Sequence, residues 1–278
     1  TKGLEIVDAF FAALGDRIRL HRETFSPDLG FSNVGKHLFF LKTRKPDVWK
    51  NVRHALLYPG YVGFVLTGNM GIETTYLGNH TYLWNFQDWT WSSVARALGV
   101  DRMFPNDIKR PWDILGTLKP DVAAACGISS DCVVTQGIHD SNANYLPYLA
   151  QGFSNFLLNS TGTWCVLMRS SETLELTDEE IDAKVFFNLD AFGKPVRTCI
   201  FPAGMEYDTF RAFTDSRDQN DLDATRQVIA ERRVFVVPGV LTGAKPFPSA
   251  TPRVVIEEDV YPLDTLQQRS DKPMAFLG

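Results

Sequence analysis

Residues 133–149 read Val-Val-Thr-Gln-Gly-Ile-His-Asp-Ser-Asn-Ala-Asn-Tyr-Leu-Pro-Tyr-Leu, and this stretch decides how the rest of the chain is interpreted. The two valines predict a buried strand, Gly137 predicts a turn, and the run from Ser141 predicts a helix that Pro147 would kink. His139 and Asp140 therefore stand where a strand passes through a turn into a helix. In α/β folds, ligands bind in the crevice at the carboxyl ends of strands.

Asp140 admits three interpretations from the residues alone. A carboxylate at this place can orient an attacking alcohol and accept its proton, as phosphoryl transfer requires. It can equally cap the helix that follows. A metal-dependent phosphohydrolase would need further ligands, and the other histidines, His21, His37, His54 and His80, have no metal-ligand spacing. We therefore expect no metal ligands among the side chains.

The composition limits the class of protein. The chain has 278 residues, of which 44% are hydrophobic, and carries a formal charge of -5, so wholesale disorder and a broad nucleic-acid-binding surface are not expected. The four cysteines form no Cys-x-x-Cys pair and are expected to be buried, reduced thiols. No apolar run is long enough to cross a membrane, and the first residues lack a signal-peptide pattern. These features favour a cytoplasmic protein, and its oligomeric state, including a homo-oligomer, is left open.

The chain changes texture near Gly152, from helical to strand-rich, and this predicts α/β domains over residues 1–151 and 152–278. In the first part, Ser32 is the expected cap of a helix, and residues 73–88 are expected to be an irregular loop. In the second part, hairpins are predicted around residues 159–163 and 193–195.

Two further segments could bind phosphate. The turn Asn159-Ser160-Thr161-Gly162-Thr163 could direct several backbone N–H groups and hydroxyls at one anion, although polar hairpin turns are usually only solvated. The segment Phe201-Pro202-Ala203-Gly204-Met205-Glu206 is a strand end followed by a helix, whose free N–H donors suit a phosphate. Its plain alternative is a tight strand-to-helix turn.

These three constellations, in this order, resemble the FGGY family of carbohydrate kinases. Gly137, Asp140 and Ala143 match a Gly-x-x-Asp-x-x-Ala catalytic segment. Ser160-Thr161-Gly162-Thr163 is similar to the family's second phosphate motif, and Ala203-Gly204 is similar to a later nucleotide-contacting turn. The other matching pieces are, in chain order, Phe31-Ser32 with Lys36, Leu66-Thr67-Gly68, Glu73-Thr74-Thr75, Trp84-Asn85 with Trp89, and Gly99 with Phe104-Pro105.

The resemblance implies a two-domain actin-like ATPase (ribonuclease H-like) fold, present as a partial chain. It implies ATP-dependent phosphorylation of a small-molecule sugar or polyol, with Mg²⁺ bridging phosphate oxygens. Asp140 would be the general base. Thr161, Gly162, Thr163 and Gly204 would contact the nucleotide, while Phe31 and His139 would line the sugar site together with Asp140.

The same resemblance marks what the sequence lacks. Neither the family's N-terminal phosphate hairpin of type Asp-x-Gly-Thr nor its C-terminal Gly-rich adenosine segment occurs here. Residues 1–151 would be the C-terminal part of the sugar-binding domain, and residues 152–278 the N-terminal part of the nucleotide-binding domain. We therefore expect the chain to be inactive by itself. The alternative is a non-catalytic sugar- or nucleotide-binding relative that kept the fold.

Overall fold

The computed structural model describes residues 2–211, 222–237, 239 and 251–262, which form a mixture of α-helices and short strands. The helices are α1 Lys2–Leu14, α2 Arg17–Thr24, α3 Val34–Arg44, α4 Pro46–Trp49, α5 Tyr58–Thr67, α6 Thr74–Leu77, α7 Ser93–Leu98, α8 Pro120–Cys126, α9 Asp140–Ala150, α10 Asp178–Asp182, α11 Ala203–Arg211 and α12 Leu222–Glu231. The strands are β1 Ile72–Glu73, β2 Trp84–Asn85, β3 Thr90–Trp91, β4 Ile108–Lys109, β5 Ile114–Thr117, β6 Val133–Thr135, β7 Leu158–Ser160, β8 Cys165–Ser170, β9 Phe186–Leu189, β10 Pro195–Phe201, β11 Val234–Val237, β12 Arg253–Ile256 and β13 Asp259–Pro262.

The chain divides into two compact units. Unit 1 comprises Thr1–Leu158 and Met168–Cys199, and unit 2 comprises Asn159–Leu167 and Ile200–Gly278. In the sheet ordered β7-β8-β10-β9, the chain passes from one unit to the other within β7, β8 and β10. In unit 2, β11, β12 and β13 form an antiparallel meander, with Val234 opposite Ile256 and Val254 opposite Tyr261. The division at residues 151 and 152 stays a prediction.

Local sequence signals set many of the element ends. The Ser92 hydroxyl accepts the N–H of Ala95 at the start of α7, and Gly99 ends that helix in the left-handed conformation. Gly127 ends α8 in the same way, and Thr177 with Glu180 forms the expected capping box at α10. The hairpin of β9 and β10 is present at the predicted place.

The structure differs from the sequence-based expectation at the start of α3. Ser32 lies in a 3₁₀ turn and does not cap the helix, which Asn33 precedes. The Asn33 amide instead donates to the carbonyl oxygens of Pro27 and His80. The buried Asn33 side chain therefore connects two loops, because it gives hydrogen bonds to backbone carbonyl groups that have no access to water.

Three further expectations were wrong in part. Residues 73–88 are not irregular throughout, since they contain the helical turn α6. Strand β6 is largely exposed and pairs with β5, so the strand before Gly137 is not a buried one. All four cysteines are free, but Cys126 and Cys132 are exposed, because the end of α8 and the approach to β6 lie at the surface.

A buried cation lies within the aromatic core of unit 1. The Lys36 side chain is 0% exposed, and its Nζ lies 2.5 Å from Oδ1 of Asp28. The ammonium also lies 4.9 Å from the ring centroid of Phe11 and 5.3 Å from that of Tyr82. Burial lowers the pKa of Lys36, and the Asp28 carboxylate opposes this effect. The ion pair thus ties the loop before α3 to the helix itself.

Removal of the counterion should destabilise unit 1. We expect Asp28→Asn to lower the free energy of unfolding by about 3 kcal/mol, because the Lys36 ammonium would stay buried without its partner. Lys36→Met should be milder, since it removes the buried charge and keeps an apolar stem. Urea denaturation of both variants tests this. The control is Asp47→Asn, which breaks the exposed pair with Lys50 and should change stability by less than about 1 kcal/mol.

Candidate active site

Asp140 is the first residue of α9 and holds an exposed carboxylate at the helix N-terminus. Its side chain is 90% exposed, and the helix cap position belongs to His139. Both hydrogen bonds that the structure gives this carboxylate, from the Ser141 N–H at 2.6 Å and the Ser141 hydroxyl at 3.4 Å, end on Oδ1. A carboxylate is favoured beside the positive end of a helix dipole. Asp140 can therefore offer Oδ2 to a ligand.

His139 makes two hydrogen bonds within unit 1 and lies beside Asp140. Its backbone N–H donates to the Thr75 hydroxyl at 2.9 Å, and its Nε2 lies 2.7 Å from the Asn79 side-chain nitrogen. Its Nδ1 lies 3.1 Å from Oδ1 of Asp140, an ion-pair distance that lacks hydrogen-bond geometry in this conformation. Burial lowers the pKa of His139, which the Asp140 carboxylate opposes. The imidazole is thus held neutral and oriented.

The buried Glu73 carboxylate is linked to His139 through the Thr75 hydroxyl. Glu73 is 2% exposed and caps α6 by accepting the N–H groups of Thr75 and Tyr76, each at 2.6 Å. The Thr75 hydroxyl donates to Oε2 of Glu73 at 2.7 Å and accepts the His139 N–H. Burial raises the pKa of Glu73, and these hydrogen bonds oppose the rise. A single hydroxyl therefore connects α6 to the start of α9.

The phosphate-binding candidates of unit 2 pack against each other. Residues 161–164 are exposed and join β7 to β8, and the Met205 N–H donates to the Thr163 carbonyl oxygen at 3.3 Å. A Cβ added to Gly204 would lie 2.2 Å from the Gly162 carbonyl oxygen and 2.8 Å from the Thr163 Cα. Only glycine permits this close approach. The turn therefore lies against the N-terminal end of α11, which begins at Ala203.

Gly162 itself has room for a side chain. A Cβ built on it would meet only the Trp164 carbonyl oxygen, at 3.9 Å, and its backbone is not left-handed. Replacement of Gly162 would therefore leave the turn unstrained.

Phe31 lies in the 3₁₀ turn Gly30–Ser32 and is partly buried. Its ring stacks on His37 with 4.2 Å between centroids and meets Phe40 edge-on at 5.6 Å. These contacts hold one face of the ring and connect the Phe31 turn to α3.

Within unit 1, the structure brings His139 and Asp140 together with Glu73, Thr75 and Asn79. Thr75 and Asn79 had no predicted role in the site, because both fall in the segment that was expected to be irregular. Glu73 and Thr75 belong to the Glu73-Thr74-Thr75 motif, which could have indicated their importance. No local pattern indicates a role for Asn79.

The residues that the structure describes contain neither a cluster of metal ligands nor a helix that could span a membrane. Among them, no group of three or more His, Cys, Asp and Glu side chains is arranged to hold a metal ion. In the same residues, no helix has both the length and the apolar character of a membrane span.

Comparison with known sequences finds similarity to one family. Residues 153–268 match the family model "Carbohydrate kinase FGGY, C-terminal domain". A rhamnulokinase from Enterobacter sp. (strain 638) is 30% identical over 152 residues, which are 52% of this chain and 28% of that protein. The chain thus spans well under half the length of this curated relative.

Comparison with solved structures identifies the fold. A carbohydrate kinase from Novosphingobium aromaticivorans superimposes with a TM-score of 0.70 at 31% identity, over 94% of this chain and 56% of that one. A ligand-bound xylulose kinase from Lactobacillus acidophilus gives 0.69 at 20% identity, over 90% and 51%. These likenesses confirm the expected α/β actin-like ATPase fold, of which this chain is a part.

Loss of the Thr75 hydroxyl should affect both ends of its hydrogen-bond chain. We expect Thr75→Val to lower the free energy of unfolding by about 2–3 kcal/mol, because it leaves a buried Glu73 oxygen and the His139 N–H short of a partner. Thr75→Ser keeps the hydroxyl and should recover most of this stability. Thermal and urea unfolding measure the difference. Equal stability of the Val and Ser variants would contradict a structural role for the hydroxyl.

Proposed function

We propose, from the premise that this chain belongs to the FGGY family of carbohydrate kinases, that the protein transfers a phosphoryl group from ATP to a hydroxyl group of a sugar or polyol. The single observation that best supports this activity is the Asp140 carboxylate. It is exposed at a helix N-terminus, and its local donors occupy Oδ1 only. A carboxylate held in this way can receive an alcohol.

In the proposed reaction, Asp140 accepts the proton of the acceptor hydroxyl at Oδ2 as the hydroxyl oxygen bonds to the γ-phosphorus. The bond from that phosphorus to the β,γ-bridging oxygen of ATP breaks at the same time, and ADP leaves. Phosphoryl transfer depends mainly on positioning and on stabilisation of charge, so the base need only orient and deprotonate the alcohol. His139 would contact the sugar, because its ring lies beside the carboxylate and is fixed by Asn79. Phe31 would form a wall of the sugar site.

The nucleotide would bind in unit 2. Residues Thr161, Gly162 and Thr163 form an exposed turn against the start of α11, and Gly204 permits the contact. Backbone N–H groups of a turn and of a helix N-terminus suit phosphate oxygens. In this proposal residues 1–151 belong to the sugar-binding domain and residues 152–278 to the nucleotide-binding domain.

Mg²⁺ would enter with the nucleotide and neutralise charge on its phosphates. Proteins commonly bind Mg²⁺ through substrate phosphates and one or two carboxylates. Its role in this protein would be that of a component of the ATP complex.

Sugar-dependent ADP release tests the activity itself. The full-length protein that carries this sequence, which is also the protein used in the kinetic tests below, is mixed with ATP, Mg²⁺ and each member of a panel of pentuloses, hexuloses and polyols. ADP is measured against a sugar-free control. We expect release with at least one acceptor. Sugar binding without ADP release across the panel would instead identify a non-catalytic relative.

Asp140→Asn should remove turnover and leave binding intact. The amide keeps the size of the carboxylate but cannot accept the proton, and the loss of a general base typically lowers the rate by about 10² to 10⁴. Steady-state kinetics and calorimetric affinities for sugar and ATP measure the two effects. Asp121→Asn is the matched control, since Asp121 is also an exposed first-turn aspartate, on α8. Retention of most turnover by Asp140→Asn would make Asp140 a purely structural residue.

Gly162→Val should weaken ATP binding specifically. Because a side chain at this position meets no part of the protein closely, a lower affinity would report on the space that the phosphates need. We expect the Kd for ATP to rise about tenfold, equivalent to 1.4 kcal/mol, with sugar affinity and melting temperature nearly unchanged.

Gly204→Ala provides the contrast for this experiment. Its Cβ collides with the turn itself, so it should lower both the melting temperature and ATP affinity. If Gly162→Val also lowered the melting temperature and weakened sugar and ATP equally, the turn would be an ordinary hairpin.

A further inference from the structure

We infer that Asn79 is a positioning residue that determines which nitrogen of His139 carries the proton, and thereby directs the His139 Nδ1–H at the Asp140 carboxylate. The catalytic consequence rests on the proposed role of Asp140 as general base. The assignment of the proton on His139 rests only on the arrangement of these three side chains.

The two ring nitrogens of His139 face partners of opposite character. The side-chain nitrogen of Asn79 lies 2.7 Å from Nε2, and Oδ1 of Asp140 lies 3.1 Å from Nδ1. A neutral imidazole has one donor and one acceptor nitrogen, whereas an amide nitrogen only donates and a carboxylate only accepts. Both neighbours are therefore satisfied by a single tautomer, with the proton on Nδ1 and a lone pair on Nε2.

The surroundings of the ring favour the neutral form. Burial lowers the pKa of His139. Tyr76 lies edge-on at 5.3 Å and His80 at 6.2 Å between centroids, and burial lowers the pKa of His80 to about 4, so His80 is also neutral near pH 7. Glu73 reaches His139 only through the Thr75 hydroxyl and the backbone. Asp140 is thus the charged group that faces the ring directly.

Asn79 is built to hold this arrangement. Its side chain is 3% exposed, and the structure gives its amide nitrogen the His139 contact while its Oδ1 has no hydrogen-bond partner among the described residues. With the amide in the opposite orientation, its oxygen would accept from an Nε2–H, and the Nδ1 lone pair would then face the Asp140 carboxylate. The observed orientation, with the amide nitrogen at Nε2, therefore matches the Nδ1-protonated tautomer.

The tautomer matters for the carboxylate. A small rotation of the exposed Asp140 side chain would align Oδ1 with the Nδ1–H, which adds a third donor to the two from Ser141. All three donors would then hold Oδ1 and leave Oδ2 for the acceptor hydroxyl. In the other tautomer, the Nδ1 lone pair would repel Oδ1 and turn the carboxylate away.

Long-range ¹H–¹⁵N correlation spectra of protein labelled at histidine measure the tautomer without any assay of activity. We expect His139 to be protonated at Nδ1 and not at Nε2 near pH 7. His21 is the internal reference, because its Nε2 lies 3.1 Å from the Val185 carbonyl oxygen and must carry the proton there. The two residues should therefore give opposite patterns in one spectrum. An Nε2-protonated His139 in the unaltered protein would overturn the inference.

Asn79→Asp reverses the character of the partner. A carboxylate at Nε2 can only accept, so His139 should gain a proton on Nε2, and its pKa should rise because the imidazolium would lie between two carboxylates. The control Asn69→Asp alters an asparagine whose amide donates to the Leu115 carbonyl oxygen, and should leave the His139 signals unchanged. An unchanged His139 titration in Asn79→Asp would count against the inference.

Kinetics separate positioning from structure. Asn79→Leu should lower kcat about tenfold, as expected if the His139 Nδ1–H no longer donates to the charged Asp140 carboxylate. The KM for ATP should change little, and the His21 signals should be unchanged. An unaltered kcat would overturn the catalytic part of the inference. If instead Asp140→Asn kept its turnover while His139 showed the expected tautomer, the proposed function would fail and the assignment of the proton would stand.

Discussion

The buried carboxylate of Glu73 is the constraint on which the described site depends. A carboxylate that is 2% exposed needs several donors, and here it finds two backbone N–H groups and the Thr75 hydroxyl. Because that hydroxyl has a lone pair left over, it can also accept the N–H of His139. The satisfaction of one buried charge thus fixes the backbone at the residue before Asp140.

The site consists of polar groups buried inside the protein and one carboxylate at its surface. Glu73, Thr75 and Asn79 are buried, whereas the Asp140 side chain is 90% exposed. A preorganised shell of buried groups can hold a reacting group without further reorganisation when a substrate arrives. The exposure of Asp140 is then consistent with a residue that meets a ligand.

In unit 2, the constraint is steric. The turn over residues 161–163 lies so close to α11 that no side chain fits at Gly204, while Gly162 faces open space. Glycine is therefore required at position 204 because the backbone of the turn lies too close for a side chain. The packing of the protein does not explain the glycine at position 162. The kinase family that the chain resembles offers an explanation for the second, which is space for a phosphate.

The sequence by itself determines the features that depend on neighbouring residues. The caps at Ser92, Gly99 and Gly127, the hairpin of β9 and β10, and the order of motifs around Gly137, Gly162 and Gly204 are local, because capping and turn formation involve atoms only a few residues apart. The motif order also indicated the same family similarity that the comparisons found.

Only the tertiary structure decided which side chains surround Asp140. Asn79 precedes His139 by 60 residues, and Thr75 precedes it by 64. Thr75 belongs to the Glu73-Thr74-Thr75 motif, but nothing local indicates its contact with His139. Nothing local distinguishes Asn79 from other polar residues in a segment that was expected to be irregular. The same holds for Asn33, which follows the expected cap and satisfies the His80 carbonyl oxygen, 47 residues away. Such pairings are set by the way helices and loops pack around a shared core, because a buried polar group takes whichever partner the packing brings within reach.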